Sequence, residues 1–483
     1  MQKIVFPKVG NFRFRKVKND ILMTNDGGNW TMLDQKDFAL FVAGKMDKSN
    51  PLQAELVAKG FLNLDKKEVT KLAGQYLALN RSLFEGPSLF IIVLTVRCNH
   101  RCLYCQVIPE KTNQKGFDMD KETARKSVDL IFKTPSKFIR IEFQGGEPLL
   151  NWSVLKYVVK YAKEVNATRR KNLKISLVSN LTEMDDKKLK FLLDNHVDIS
   201  CSFDGPAAVH NRNRIYLDGK NGHQIVSERI KKVQKTIRIN NESSKKKVDQ
   251  LNAVLTVSRF SLSQPLLIID EYIKKGFDTI FVRPLSPFGL SRVTLKTIGY
   301  TAEEFISYYK KSLDYILKIN LTGKTFIERA TFYALKKIIA GDDPNYFEMR
   351  SPCGAGIGQM AFDYDGKIYT CDEGRMAARM GHVNFQLGDV KTSSYNELID
   401  NGVTKTMCLS SCLDNHVSCQ DCAYKPYCGV CPLANFIEHG TIFPQLPNTD
   451  RCKINKAMFD YIFLKMQNKK YKQIFEKWLE IKA

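Results

Sequence analysis

Three cysteines on one loop limit this chain more than any other feature. Cys98, Cys102 and Cys105 stand three and then two residues apart, soon after the apolar run 89–94. That run reads as a buried strand, so the loop sits at a strand end. Free cysteine prefers burial and rarely gathers in a polar loop. Three thiols are one ligand short of a structural zinc site, which takes four. A 4Fe–4S cluster held by three thiolates keeps one iron open for a small ligand.

The fold must deliver that loop. From 86 to 290, strand candidates at 89–94, 138–143, 173–178, 197–203, 253–257 and 279–282 alternate with helical stretches at 121–132, 152–165, 187–195, 226–237 and 265–275. Six such repeats predict an α/β fold, a parallel sheet with helices outside. Parallel barrels place their chemistry on loops at the carboxyl ends of strands, which is where the cysteine loop falls. Ahead of it, residues 1–85 form a small α+β module. Its signals are a hairpin over 21–33 turning at Asp26-Gly27, a helix capped by Asp34, and a second helix over 51–59 stopped by Gly60. Residues 291–350 read as a helical connection and 456–483 as closing helices. Between them, 351–455 is rich in cysteine and glycine, the composition of a domain tied by metal.

Composition narrows the setting. A chain of 483 residues holds more than one domain. No window approaches 18 consecutive apolar residues, which excludes a spanning helix of the usual kind. Segment 1–7 lacks a signal-peptide core. Together with paired C-x2-C motifs among 13 cysteines, this points to the cytosol and to metal rather than disulfides. The net charge of +23 suits nucleic acid, an acidic peptide or a solvated basic surface. The densest basic run, 229–247, has no interleaved aromatics for stacking bases. That disfavours nucleic acid and leaves an acidic peptide as the better partner.

Further motifs fall in strand order. Gln144-Gly145-Gly146-Glu147-Pro148 follows the second strand. Two glycines let backbone approach a ligand, and Glu147 offers an acceptor for an ammonium group. Ser179-Asn180 ends the third strand. The fourth leads into Ser202-Phe203-Asp204-Gly205 and then His210, Arg212 and Arg214. A guanidinium suits a carboxylate. His210 reads as a packing residue, Cys201 as core, and Arg283 as an adenosine contact or a loop-shaping residue. Near the C-terminus come Cys353, Gly366 and Cys371, then Cys419-x2-Cys422-x5-Cys428-x2-Cys431, and last Cys452.

The first three cysteines, with Tyr104 before the third, resemble the C-x3-C-x2-C signature of the radical S-adenosylmethionine (SAM) enzymes. The resemblance implies a partial (β/α)6 barrel, which agrees with six repeats. It also implies a SAM-binding 4Fe–4S cluster on Cys98, Cys102 and Cys105. Gly145, Gly146, Glu147 and Pro148 would hold the SAM amino group, with Ser179, Asn180, Ser202 and Arg214 as further contacts and Arg212 the alternative. The later cysteines resemble a SPASM domain, which binds two auxiliary 4Fe–4S clusters. By position Cys419, Cys422, Cys428 and Cys452 would hold one. Cys353, Cys371 and Cys431 would hold the other, with Cys412 as fourth ligand and Cys408 the runner-up. Two residues rather than the usual three precede Cys431, a departure from the pattern. Asp372, directly after Cys371, matches a candidate proton acceptor of sulfatase-maturing relatives, with an Asx-turn as the plain alternative.

The longer phrases, from Leu22-Met23-Thr24-Asn25-Asp26-Gly27-Gly28 to Asp450-Arg451-Cys452-Lys453, resemble the SPASM-containing maturases of His-Xaa-Ser systems. That implies an oxidoreductase that generates a 5′-deoxyadenosyl radical and modifies a ribosomally made His-Xaa-Ser repeat peptide. Its implied partners are a peptide with a leader region, a low-potential donor such as flavodoxin or ferredoxin, and a second maturase. The N-terminal module would be winged-helix-like and bind the leader. The nearest rival is an anaerobic sulfatase-type maturase making formylglycine. A rival of another class is a zinc-stabilised nucleic-acid-binding protein.

Overall fold

The computed structural model of the chain describes residues 9–46, 49–62, 65–244, 246–344 and 347–481. Segment 1–7 and Lys245 of the basic run lie outside the described residues.

The N-terminal module is an antiparallel sheet of β1 (Arg13–Val17), β2 (Asp20–Thr24) and β3 (Trp30–Leu33), followed by α1 (Gln35–Val42), α2 (Gln53–Ala58) and α3 (Lys66–Leu79). The expected hairpin is β2–β3, with Ile21 opposite Leu33. Asp34 caps α1 by accepting from Asp37 N. Strand β1 and helix α3 go beyond the sequence reading. No side chain of α3 is buried, which explains its weak apolar pattern.

The central region runs β4 (Leu89–Thr95), β5 (His100–Cys102), α4 (Lys121–Ile131), β6 (Phe138–Gly145), α5 (Trp152–Arg169), β7 (Asn172–Ser179), α6 (Asp186–Asp194), β8 (Val197–Ser202), α7 (Ala207–Asn213), β9 (Arg214–Tyr216), α8 (Gly222–Ser243), β10 (Asn252–Thr256), α9 (Pro265–Lys274), β11 (Thr279–Ile280) and β12 (Val282–Arg283). Strands β4, β6, β7, β8, β10 and β12 pair in parallel, one for each expected barrel unit. The sixth is divided. Its first half, β11, leaves the sheet and pairs instead with β13 (Ile327–Glu328). The connection contains α10 (Leu290–Val293), α11 (Leu295–Ile298), α12 (Ala302–Leu321) and α13 (Arg329–Ile338).

The cysteine-rich segment carries β14 (Gln359–Phe362), β15 (Lys367–Tyr369), α14 (Asp372–Arg379), β16 (Gln386–Asp389), α15 (Tyr395–Ile399), α16 (Gly402–Ser411), α17 (Val417–Gln420) and α18 (Pro432–His439); α19 (Asp450–Met466) and α20 (Lys469–Glu480) close the chain. It is not set apart from the barrel. Strand β14 lies parallel to β4, Gln359 opposite Leu89 and Phe362 opposite Ile92, so one nine-stranded sheet runs β12-β10-β8-β7-β6-β4-β14-β15-β16. Strand β4 is therefore apolar on both faces. Phe90, Ile92 and Leu94 join the core under the helices, while Ile91 and Val93 pack with Ala361, Tyr369 and Met376.

Strands β6, β8 and β10 alternate. Along β6, Ile139, Ile141 and Phe143 are buried in the helix-covered core, while Arg140, Glu142 and Gln144 are half-buried on the opposite face. Glu142 accepts from Ser176 Oγ at 3.2 Å and from Gln144 Nε2 at 2.7 Å. A closed barrel fills its interior with branched apolar side chains. This open one presents a polar inner wall. Among the described residues no helix is long and apolar enough to cross a membrane.

Candidate active site

Strand β4 delivers the cysteine loop and the Gly-Gly turn clamps its start. Gly146 N donates to Thr95 O at 2.8 Å and Glu147 N to Arg97 O at 2.8 Å. Gly145 has φ +149°, and a Cβ there would meet Thr95 O at 2.1 Å. On Gly146 it would meet Arg97 O at 2.1 Å. Only glycine lets the two backbones lie this close. Further on, Cys98 N donates to Glu110 O at 2.9 Å, Leu103 N to Asn213 O at 2.8 Å, and Leu290 N to Cys105 O at 2.8 Å. Elements from four parts of the chain thus hold three thiols at one rim.

Burial raises the pKa of all three thiols, that of Cys102 to about 12. Negative charge on Cys102, Glu147 and Cys105 raises Cys98 further, so the thiols share one enclosure. Enclosed thiols of this kind ionise when a metal takes the place of the proton. As donors they fit iron–sulfur ligation. Among the described residues no three His, Cys, Asp or Glu side chains converge on a single-ion position.

Glu147 is fully buried. Oε1 accepts from Ser179 Oγ at 2.9 Å and Leu149 N at 3.1 Å, and Oε2 accepts from Asn180 N at 2.8 Å. Burial pushes its pKa up to about 7, against these hydrogen bonds. A carboxylate has about four acceptor positions, and these three donors leave one of them unfilled. This changes the expected role of Ser179, whose hydroxyl is spent on orienting Glu147. Asn180 also turns aside: its Nδ2 donates to Asn99 Oδ1 at 2.9 Å. That network reaches His100, whose ring stacks on Tyr216 at 4.8 Å.

Ser202 ends β8, half-buried on the polar face. Arg214 is 7% exposed and bound at 3.2 Å to Asp204, which is fully buried. Its guanidinium lies 5.2 Å from the Tyr104 ring and its Nη1 4.0 Å from Cys102 Sγ. The Tyr104 hydroxyl donates to the same Asp204. Arg214 therefore ties the cysteine loop down, and its buried Nε makes no hydrogen bond among the described residues. Arg212 is exposed over the Phe260 ring at 3.7 Å. His210 packs against Phe203 and His223, as a packing histidine should. Cys201 is core. Arg283 donates to Glu348 at 2.7 Å. Sequence reasoning placed Asp204 after the fourth strand but gave it no partner, since only the fold brings it to Tyr104.

The C-terminal thiols fall into two groups. Cys419, Cys422, Cys428 and Cys452 line one cavity with Leu413, Tyr424 and Phe459. Asn455 Nδ2 donates to Cys428 Sγ at 3.5 Å, and burial raises Cys428 to about 12. In the second group burial raises Cys371, and the charges of Glu373, Cys431 and Cys353 add to it. Cys408 is raised to about 11 by burial, then by Cys353 and Cys412. Cys412 Sγ itself lies 3.8 Å from Asp414 Oδ2. Glu373, an acid beside three thiols, had no spacing signal to reveal it. All thirteen cysteines are free of disulfides.

Asp372 opens α14 and accepts from Arg375 Nε at 2.9 Å, a pair with side chains 12% and 1% exposed. Arg375 Nη1 makes no hydrogen bond among the described residues. Further along α14, Arg379 Nη2 donates to Ile108 O at 2.7 Å and to Glu110 Oε1 at 3.0 Å, so α14 abuts the first cysteine loop. The Asx-turn alternative gives way to the Asp372–Arg375 ion pair.

Residues 92–243 match the family model described as the radical SAM superfamily. The cysteine-type anaerobic sulfatase-maturating enzyme of Clostridium novyi (strain NT) is 25% identical over 347 residues, 71% of this chain and 86% of that one. Among solved structures, anSMEcpe with bound AdoMet has a TM-score of 0.66 at 20% identity, covering 82% of this chain and 98% of its own. SuiB of Streptococcus suis bound to its precursor peptide SuiA has a TM-score of 0.51 at 13% identity, covering 89% and 96%. These structures share the fold. The family model and the maturase relative indicate an enzyme, against the zinc-stabilised nucleic-acid-binding reading. Residues 92–243, which hold the cysteine loop at the carboxyl rim of a parallel half-barrel, are similar to the radical SAM superfamily, and that similarity indicates an enzyme.

Proposed function

We propose that the chain is a peptide maturase of the SPASM type, modifying a ribosomally made peptide of the His-Xaa-Ser repeat kind. The observation that carries this is the insertion of β14 beside β4, which packs Cys353, Cys371 and α14 in one cluster with Cys105 and Cys431 against it. Supporting it, related folds hold peptides: anSMEcpe with Cp18Cys peptide, and SuiB with SuiA. Cys98, Cys102 and Cys105 would hold the SAM-binding cluster, Cys419, Cys422, Cys428 and Cys452 one auxiliary cluster, and Cys353, Cys371 and Cys431 the other. Cys412 is its fourth ligand in this reading, with Cys408 as the rival.

When bound, SAM and its cluster supply a 5′-deoxyadenosyl radical for hydrogen abstraction. The protein's part is positioning and exclusion of water. Gly145 and Gly146 bring backbone close to the ligand, Glu147 offers its open acceptor position to an ammonium group, and Ser202 and the Arg214 Nε–H face a carboxylate. Asp372 takes the substrate proton, oriented by Arg375. The polar wall of Glu142, Gln144 and Ser202 accommodates a polar peptide. The N-terminal module binds the leader, an electron donor and a second maturase complete the system, and free thiols suit a reducing cytosol.

One specific observation favours the rival formylglycine chemistry: sequence similarity to the Clostridium novyi maturase across 71% of the chain. Anaerobically reconstituted protein, SAM, reductant and either a His-Xaa-Ser repeat peptide or a sulfatase peptide separate the two. The proposal expects 5′-deoxyadenosine with a mass change in the repeat peptide. Turnover of the sulfatase peptide alone would replace it with the rival.

A further inference from the structure

The β5–β9 ribbon that carries Cys102 has two unlike faces. His100 and Cys102, opposite Tyr216 and Arg214, turn into the protein, where His100 and Arg214 are buried. Arg101 and its cross-strand partner Ile215 turn outward, Ile215 43% exposed. Alternation along a strand makes this obligatory: if the thiol faces in, its neighbours face out. Leu217, 52% exposed, continues the outer face. On the other flank, the Leu103 carbonyl accepts from Thr294 Oγ1 at 2.6 Å. Around Thr294 the chain bares Val293 at 77% and Leu295 at 53%, with Lys296 exposed beside them. Asp218 at the edge is paired with Lys220 at 2.6 Å. Arg101, Ile215 and Leu217 thus lie on the solvent side of the ribbon that carries Cys102, and Val293, Leu295 and Lys296 are exposed around Thr294, which holds the Leu103 carbonyl.

Exposed apolar patches rimmed by polar residues mark interaction sites. SAM and a peptide need the inner side, where the glycine turn and the polar wall are. What needs the outer side is an electron, because transfer falls steeply with distance and the ribbon is one strand thick. We propose that this outer face is the docking site for the electron donor, a small acidic redox protein. The inference rests on the reading that Cys98, Cys102 and Cys105 hold the SAM-side cluster. A net charge of +23 attracts such a partner from a distance, and redox encounters are characteristically small and weak. A few exposed apolar contacts with a cationic rim are enough for one.

The test uses the full-length reconstituted protein and photoreduced flavodoxin of net negative charge. Cluster reduction is followed by stopped-flow absorbance, with dithionite as a parallel reductant. The double variant Val293→Asp/Lys296→Glu is expected to lower the flavodoxin-driven rate about tenfold or more. Reduction by dithionite, 5′-deoxyadenosine formed with it, and the peptide KM stay as in the unsubstituted protein. In the unsubstituted protein the flavodoxin rate falls as salt is raised. An unchanged flavodoxin rate in the variant overturns the proposal. So does an equal loss with dithionite, which would assign the patch to SAM or the peptide. Absence of 5′-deoxyadenosine from the unsubstituted protein with dithionite would instead overturn the reading beneath it.

Discussion

A thiol buried at the rim of a sheet is a poor acid, and it becomes useful only when something replaces its proton. Cys102, pushed up to about 12 by burial, is such a thiol. Replacing it with alanine is expected to remove about four irons per chain and to abolish SAM cleavage, read by iron analysis and 5′-deoxyadenosine. The C-terminal sites should keep their irons. Gly146→Ala tests the backbone contact: its Cβ would stand 2.1 Å from Arg97 O, so the turn has to move. We expect SAM affinity, measured by equilibrium dialysis, to fall at least about tenfold and the thermal midpoint to drop as the turn shifts. Single residues also mark the limit of what the sequence could say. The cysteines and Gly145–Glu147 were legible because their chemistry depends on local spacing. The roles of Asp204, Glu373 and Arg375 were not. Asp204 meets Tyr104 from a hundred residues away, and Arg375 is buried against Asp372 on a helix far along the chain from the first cysteine loop. No local pattern encodes such placements.

At the scale of elements, period and length decided what could be foreseen. The barrel strands are five to eight residues of apolar run or clean alternation, and their order follows from the helices between them. Strand β14 has four residues, buried throughout, too few to show a period. Its place beside β4 was therefore invisible, and the cysteine-rich segment read as separate. The divided sixth strand was hidden for the same reason: β11 and β12 have two residues each. Their junction depends on Glu328, which accepts from Val282 N at 3.1 Å and from Thr331 N at 2.7 Å while capping α13. Glu328→Gln is expected to cost about 1–3 kcal/mol in denaturant unfolding, since a donor group faces buried donors. Burial raises the Glu328 carboxyl above its usual range despite these bonds. The fold then binds this proton more tightly than the unfolded chain does. The resulting stability is full below the ordinary carboxylate range and declines as pH rises through the raised value. The variant should lack that decline in a stability–pH series.

The whole molecule is held by contacts between its two ends. Thr24 Oγ1 donates to Ala423 O at 2.8 Å, Trp30 Nε1 to Ile338 O at 3.0 Å, and Tyr427 OH to Gly28 O at 3.0 Å. The N-terminal module therefore leans on the four-cysteine cavity and the helices behind it. Trp30→Ala removes a large half-buried ring that packs on Phe463 at 5.2 Å. It should cost about 3 kcal/mol or more, visible as a lower thermal midpoint. Chelation of iron should lower that midpoint too, because ligand sets without metal keep only part of their fold. Limited proteolysis of the chelated protein is expected to cut first between 408 and 452.

The pairing of β14 with β4 also has a consequence for how the protein is made. Chains emerge from the ribosome N-terminus first and domains fold as they appear. Strand β4 is complete at residue 95, but its partner ends only at residue 362. Through that interval a nascent half-barrel displays an unpaired strand edge, with Ile91 and Val93 awaiting Ala361 and Tyr369. Open edges with apolar faces invite pairing with other chains. Slow synthesis, or truncation before residue 359, should yield aggregates rather than a soluble barrel. Productive folding then depends on whatever guards that edge until the last third of the chain arrives.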